Sequence, residues 1–212
     1  MFKNHLKIAW RSLKKQPFFT FLNTFGLAIG MAGGILISLY IYDELSFNKM
    51  FADADRIYRI DTDIKFGGSE IETAQAAAPM AEALQNDFSQ VETTVRFRTQ
   101  GSILVRKNKT EDNSKELQTT FADSTFFDMF GIELLSGDVK TALTQPNTLV
   151  LTKTAAEKYF GTTNPIGQSL LLNNNNTYTI TGVIDDLPKN SLLREYTIFM
   201  AMAGHPASKE NN

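Results

Sequence analysis

Three short stretches of this sequence carry residue types whose spacing could do chemistry. Residues 161–167 form a loop bounded by glycines, the form that a phosphate-binding loop takes. Asp61-Thr62-Asp63 places two carboxylates on one face of a strand, where they could bind a metal ion. Asp185-Asp186 is a second acidic pair, directly before Leu187-Pro188.

The surroundings favour a structural role for all three stretches. Gln168 stands where a phosphate loop needs lysine, and the loop follows a predicted helix, which is typical of a helix end with a proline turn. Asp61 and Asp63 have no histidine or third acid nearby, which indicates a solvated strand edge. Asp185-Asp186 is typical of an acidic turn at the end of a strand.

Other catalytic arrangements are missing from the sequence. His5 and His205 lie near opposite ends of the chain, there is no cysteine, and no Ser/His/Asp or Ser/Lys arrangement is present. The lack of cysteine excludes disulfides and thiolate metal sites. We therefore predict a protein that is not an enzyme and that holds no metal and no cofactor.

Charge is distributed unevenly along the chain. Residues 1–42 contain five Lys/Arg and no acid, whereas residues 43–212 contain 16 Lys/Arg and all 23 Asp/Glu, a net charge of -7. Basic residues beside a membrane helix stay in the cytoplasm, so we predict a cytoplasmic N-terminus and an acidic part on the other side. The acidic part has no basic patch, and nucleic-acid binding is not expected.

The element that must separate these two parts is the uncharged run over residues 18–42. A helix of that length reaches about 37 Å, more than the ~30 Å hydrocarbon core of a bilayer. A soluble helix in a chain of this size would carry a polar face, so we predict a transmembrane helix. A cleaved signal peptide is the alternative, although its apolar region is ordinarily only about 7–15 residues long.

Residues 1–17 are predicted to be a cytoplasmic amphipathic helix that lies in the membrane surface. The apolar stripe is Phe2, Leu6, Ala9, Trp10 and Leu13. The basic stripe, placed to meet anionic headgroups, is Lys3, Lys7, Arg11, Lys14 and Lys15. A disordered basic leader is the alternative.

Small residues form a stripe along the predicted transmembrane helix. Gly26, Gly30 and Gly34 recur at intervals of four, which creates a groove where another helix can pack closely. The alternative is that glycine is simply common in membrane helices.

Residues 43–212 are predicted to form a mixed α/β extracytoplasmic domain, which makes the fold class membrane-anchored α+β. Strands are predicted at residues 57–66, 70–73, 91–98, 102–105, 148–151, 169–172 and 178–184. Helices are predicted at residues 77–87, at 124–130, and from a capping box of Thr154 and Glu157 to Gly161. Turns are predicted at Gly67-Gly68 and at residues 173–176, and an exposed loop at 107–115.

Five stretches, taken in order, resemble a known family. They are NHLKIAWRSLKKQPFFTFLNTFGLAIG, YDELSFNKMFADADRIYRI, FADSTFFDMFGIELLSGD, PNTLVLTKTAAEKYFGTTNPIGQSL and YTITGVIDDLPKNSLL. In this order they resemble MacB/FtsX-type permease subunits of ABC transporters, particularly the long Bacteroidetes-type members, over residues 4–193.

The resemblance implies a non-catalytic inner-membrane subunit that works with a separate cytoplasmic ABC ATPase. Nucleotide-driven motion of membrane helices would pass to a periplasmic core domain, in efflux or in an envelope-directed task. The implied partners are the ATPase, the lipid bilayer and further transmembrane helices of a full-length permease. Whether two copies form a homodimer is left open.

The resemblance also marks structural positions, none of which is a binding site. Gly26 and Gly30 match the entry to the first membrane helix. The coupling segment between helix and domain comprises Tyr42, Asp43, Glu44, Leu45, Ser46 and Phe47. The positions within the domain are Phe126, Phe127, Phe130, Gly131, Gly161, Pro165, Gly167, Gly182, Val183, Pro188 and Ser191.

One departure from the family affects the expected activity. Family members continue into at least three more membrane helices, whereas this sequence ends at Asn212 after a polar tail. We therefore expect the N-terminal portion of a permease, with a core domain incomplete at its C-terminus. A self-contained single-pass ligand-binding or sensor module is the alternative, and a secreted enzyme behind a cleaved signal is a third.

Overall fold

Two helices that meet at Pro17 form the first of the two units into which the chain divides, residues 1–47. The structure is a computed structural model that describes residues 2–208, with the side chains of residues 2, 6 and 207 outside that description. Helix α1 spans Phe2–Lys15 and helix α2 spans Pro17–Ser46. Gln16 leaves helical geometry at φ -132°, because the residue before proline disfavours the α region.

Helix α2 is apolar on all sides. It extends four residues past the predicted span, through Asp43 and Glu44 to Ser46, and none of its residues is buried. Within residues 2–208 it is the one helix that is long and apolar enough to cross a membrane. A core helix of a soluble protein would have most of its side chains covered, and α2 has not.

The second unit, residues 48–212, is built on a seven-stranded sheet and a separate hairpin. The hairpin consists of β1 (Thr62–Phe66) and β2 (Ser69–Thr73). The larger sheet contains β3 (Phe97–Arg106), β4 (Ser114–Ala122), β5 (Leu134–Gly137), β6 (Thr148–Thr152), β7 (Ser169–Leu172), β8 (Asn176–Ile184) and β9 (Ile198–Ala201). The helices are α3 (Met80–Asp87), α4 (Phe126–Met129) and α5 (Lys153–Phe160).

Six strands of the larger sheet close into a ring. The order is β5-β8-β6-β9-β4-β3-β7, and β7 also pairs with β8, so that β5 alone lies outside the ring. The pairs β6–β8 and β4–β9 are parallel, and the other ring pairs are antiparallel. The domain is therefore of the mixed α+β class, as the sequence predicted.

The two faces of the central strands contribute side chains to two different hydrophobic clusters. Leu149 and Leu151 of β6 belong to the first cluster, called the ring cluster, which contains residues from all six ring strands and from α5. Val150, between them, belongs to a second cluster with Phe199 of β9 and the phenylalanines of α4. Alternation along each strand explains why β6 and β9 are buried on both faces.

Several predicted elements differ from the observed ones. The strand predicted at 57–66 begins only at Thr62. The strands predicted at 91–98 and 102–105 are a single strand, β3, which starts at Phe97 and passes through a bulge at Gly101. Helix α3 starts three residues late, after Pro79. The predicted loop at 107–115 is shorter, because β4 starts at Ser114. Strands β4, β5 and β9 were not predicted at all.

The capping box predicted for α5 is wrong. The N-cap is Thr152, whose hydroxyl accepts a hydrogen bond from the backbone N–H of Ala155 at 3.4 Å. Thr154 instead donates its hydroxyl to Asp186 at 2.6 Å. The predicted end of α5 at Gly161 is confirmed, with φ 60° at the C-cap.

Candidate functional site

The predicted coupling segment lies in the last turns of α2. Tyr42 to Ser46 are helical, and Phe47 is the C-cap, in extended geometry at φ -60° and ψ 128°. The Ser46 hydroxyl donates to the carbonyl oxygen of Asp43 at 2.8 Å. The segment is therefore an ordered helix end that belongs to the first unit.

The second unit starts at Asn48 with a residue that the sequence reasoning missed. Asn48 adopts φ 60°, a left-handed conformation that asparagine tolerates better than most residues. Its N–H donates to the carbonyl oxygen of Asn190 at 2.9 Å, and its Oδ1 accepts from the N–H of Leu192 at 2.8 Å. The available signal was the tolerance of asparagine for left-handed geometry, which also indicated the turn at Asn173–Asn174.

The segment that Asn48 holds contains two of the predicted family positions. Ser191 is fully buried, its N–H donates to the carbonyl oxygen of Pro188 at 3.1 Å, and its hydroxyl accepts from the N–H of Leu193 at 3.0 Å. Leu193 is also fully buried. These bonds make residues 188–193 a compact turn that leads towards β9.

Phe51, three residues after Asn48, belongs to a cluster of aromatic rings. Phe51 packs on Phe130 with ring centroids 4.9 Å apart, and Phe130 packs on Phe126 at 4.9 Å. Phe127 packs on Phe199 of β9 at 5.5 Å. Gly131 ends α4 at φ 62°, and a Cβ there would lie 3.1 Å from the Cβ of Ala52. Three stretches of the resemblance therefore meet in the second hydrophobic cluster, through Phe51, through the phenylalanines of residues 126–130 and through Leu193.

The remaining family positions lie outside the aromatic cluster and the turn at residues 188–193. Gly167 donates its N–H to the carbonyl oxygen of Ile180 at 2.9 Å, and Pro165 accepts from Gln168 at 3.0 Å, so the glycine-bounded loop is a turn against β8. Gly182 pairs with Gly137 of β5, and Val183 belongs to the ring cluster. These residues shape the sheet.

The predicted helix-packing and membrane-surface residues are all in the first unit. A Cβ added at Gly26, Gly30 or Gly34 would meet nothing within 4 Å. The basic residues Lys3, Lys7, Arg11, Lys14 and Lys15 are all exposed. Trp10 is exposed too, and Lys14 Nζ lies 5.6 Å from the centroid of its ring.

One acidic residue of the domain is held in a polar cluster that the sequence reasoning missed. The carboxylate of Glu116 accepts hydrogen bonds from Lys158 Nζ at 2.6 Å and from the Tyr159 hydroxyl at 2.5 Å. Burial opposes ionisation, but hydrogen bonds from Lys158, Tyr159 and Thr197 hold the pKa of Glu116 below its usual value. Burial and the Glu116 carboxylate raise the pKa of Tyr159. Each group is satisfied by the others, so the cluster fastens α5 to β4.

The acidic pairs have ordinary partners. Arg59 donates to Asp61 at 2.8 Å, and Asp186 accepts from the hydroxyl of Thr154. In the part of the chain that the structure describes, no three His, Asp or Glu side chains gather where they could hold a metal ion.

Comparisons with known proteins bear on this architecture. The family model for the MacB-like periplasmic core domain matches residues 20–210. A solved domain assigned to a permease protein from Porphyromonas gingivalis is 27% identical, with a TM-score of 0.60, over 68% of this chain and 60% of that one. This chain therefore spans less than two thirds of the length of that structure. None of the curated proteins matches.

Two further solved structures are more distant. The periplasmic region of MacB from Actinobacillus actinomycetemcomitans is 17% identical, with a TM-score of 0.44, over 57% of this chain and 52% of that one. The extracellular domain of the noncanonic ABC-type transporter YknZ from Gram-positive bacteria is 17% identical, with a TM-score of 0.39, over 52% and 55%. Because the family model covers most of the chain, the resemblance to MacB/FtsX-type permeases is confirmed, and the chain belongs to the family that carries the MacB-like periplasmic core domain.

Proposed function

We propose that this chain is part of a permease subunit of an ABC transporter, anchored in the inner membrane by α2. The observation that carries the proposal is that α2, 30 residues long and with no buried residue, stands at the start of the region that matches the MacB-like model, residues 20–210. Burial of apolar surface contributes about 25 cal/mol per Å², so a helix this apolar needs lipid or protein around it.

The charges of the chain support one orientation. All five basic residues before Asp43 lie on α1, which has no acidic residue in its first turn and two lysines in its last. Such a helix fits the anionic cytoplasmic surface, with Trp10 at headgroup level. The domain would then lie in the periplasm.

The domain would act as a mechanical part of this permease. The Glu116 cluster, whose groups bond to one another and fasten α5 to β4, suits a structural part. The energy for work would come from a separate ATPase, the partner that the family resemblance implies. Further membrane helices would pack along the Gly26, Gly30 and Gly34 stripe of α2, where the backbone is open to close approach.

A topology assay tests the proposal. Reporters fused after Gln16 and after Asp186 are expected on opposite sides of the inner membrane. N-terminal sequencing of the membrane-bound protein is expected to find residues 1–17 still attached. Both reporters on one side, or a mature protein that starts after residue 46, would contradict membrane anchoring by α2 and with it the proposed function.

A further inference from the structure

We propose that Asn48 is a positioning residue that locks the start of the extracytoplasmic domain to the turn before β9. The inference rests on the proposed function for its purpose, which is to pass displacement of the membrane helix into the domain. The lock itself consists of contacts inside the second unit and does not depend on any partner.

The lock is bidentate and joins distant parts of the chain. The backbone N–H of Asn48 bonds to Asn190, and its side-chain Oδ1 bonds to the backbone of Leu192, 144 residues away. Asn48 makes both bonds from a left-handed backbone conformation at φ 60°. Aspartate and asparagine adopt this conformation with a short side-chain acceptor, glycine adopts it without one, and other residues adopt it only with strain.

The held turn leads into the centre of the sheet. Leu193 follows Leu192 directly and is fully buried in the cluster that contains Phe199. After Leu193 the chain reaches β9, which pairs with β4 on one side and β6 on the other. A displacement applied at Asn48 would therefore act on a turn joined to the central strand.

A second anchor restricts the residues that follow Asn48. Phe51 is 5% exposed and packs on Phe130, and the N–H of Ala54 donates to the carbonyl oxygen of Phe51 at 3.2 Å. Residues 48–51 are therefore held at both ends. Without the Asn48 bonds, residues 48–50 would form a loose linker that absorbs motion, because only Phe51 would hold them.

The experiment measures order at the start of the domain in the full chain, in lipid nanodiscs. The sequence has no cysteine, so Lys49→Cys and Glu157→Cys, both exposed, give a unique nitroxide pair within the second unit. Pulsed electron paramagnetic resonance then measures the width of the distance distribution. Amide hydrogen exchange at Leu192 is measured on the same variants without labels.

The variants separate the side-chain acceptor from the backbone conformation. Asn48→Gly keeps the φ angle but removes the acceptor, and is expected to broaden the distribution and to speed exchange at Leu192 roughly fivefold, the equivalent of one ordinary hydrogen bond. Asn48→Asp keeps both the side-chain acceptor and the φ angle, and is expected to retain the narrow distance distribution of the wild type. Asn174→Gly is the matched control, since Asn174 has φ 61° in the β7–β8 turn, and it is expected to change neither readout.

The outcomes are decisive in both directions. Unchanged width and unchanged Leu192 exchange in Asn48→Gly would overturn the inference, as would equal broadening in Asn174→Gly. If Asn48→Gly fails to fold, Leu192 exchange in Asn48→Asp provides the test: an ionised carboxylate is the stronger acceptor, so exchange slower than in the wild type is expected, and equal or faster exchange would overturn the inference. The measurement needs no ATPase and no topology result. The lock can therefore be contradicted while the proposed function stands, and the proposed function can be contradicted while the lock stands.

Discussion

At the scale of single residues, Glu116 shows how a buried charge is stabilised in this domain. It is 8% exposed, and it accepts hydrogen bonds from two side chains of α5 that lie 42 and 43 residues away. A buried carboxylate without such partners would be costly. The polar cluster therefore holds α5, whose residues Ala155, Ala156 and Phe160 pack into the ring cluster.

Substitution Glu116→Gln is expected to lower the free energy of unfolding by about 1–3 kcal/mol at pH 7. The pKa of Glu116 is lowered by folding, so its contribution is present above the unfolded pKa of about 4.3 and is lost as pH falls through the lower folded pKa. Urea titrations from pH 7 to pH 3 should therefore show a flatter stability profile in the variant. Glu157→Gln, exposed on the same helix, is the control and should leave the profile of the wild type intact.

The backbone of Gly137 has no room for a side chain. Its φ is 98°, and a Cβ would lie 2.3 Å from the carbonyl oxygen of Thr181. We expect Gly137→Ala to cost at least about 3 kcal/mol, because the backbone of β8 would have to shift. Gly167→Ala, with φ 79° and open space around it, should cost only about 1–2 kcal/mol. Thermal denaturation compares the two, and equal losses would contradict the steric argument.

At the scale of elements, local chemistry decides some structures and distant pairing decides others. The turn over Asn173 and Asn174, the end of α5 at Gly161 and the apolar helix α2 follow from residues close in sequence, and these could be predicted. Strand β4 could not, because it buries Thr119 and Thr120 while Leu117 stays 66% exposed. Its polarity pattern makes sense only once its partners β3 and β9 are known.

The candidate site also combines residues that could be marked from the sequence with contacts that could not. The phenylalanines of α4 and the residues Pro188 and Ser191 were marked by resemblance, but no spacing in the sequence could show that they meet. Asn48 was missed because its bonds reach residues 142 and 144 positions away. The partners of Glu116 were missed for the same reason, since β4 itself was not predicted.

Helix α2 offers a test of its small-residue stripe. In a bilayer, Gly30→Ile is expected to weaken packing of α2 against a second helix by about 1–2 kcal/mol, because the bulky side chain separates the backbones. Ala28→Ile is the control, since two residues turn a helix by about 200° and place Ala28 on the other side. Energy transfer between labelled α2 peptides in vesicles measures the difference, and equal effects of both changes would argue against a specific stripe.

At the scale of the whole molecule, the chain divides at Phe47 into units with opposite solvent requirements. The first unit exposes an apolar helix, while the second buries its apolar residues in two clusters. The hairpin β1–β2 is an exception within the second unit, because the facing pair Ile64 and Ile71 and the nearby Phe66 are exposed.

The second unit is expected to fold without the first. Residues 48–212 expressed alone should remain soluble and unfold in one cooperative transition, because both hydrophobic clusters lie within this range. Near-ultraviolet circular dichroism and urea unfolding check this. A chain with fluctuating tertiary structure would show that α2 contributes to the fold of the domain.

The place of β9 sets the order in which this domain can form. Residues 198–201 come last among the strands but lie in the middle of the sheet, between β6 and β4. Until they arrive, β6 and β4 have no neighbour in common and the ring stays open. Non-local pairing of this kind folds slowly. During synthesis, α2 would therefore be complete long before the domain, and the ring would stay open until residue 201 joins it.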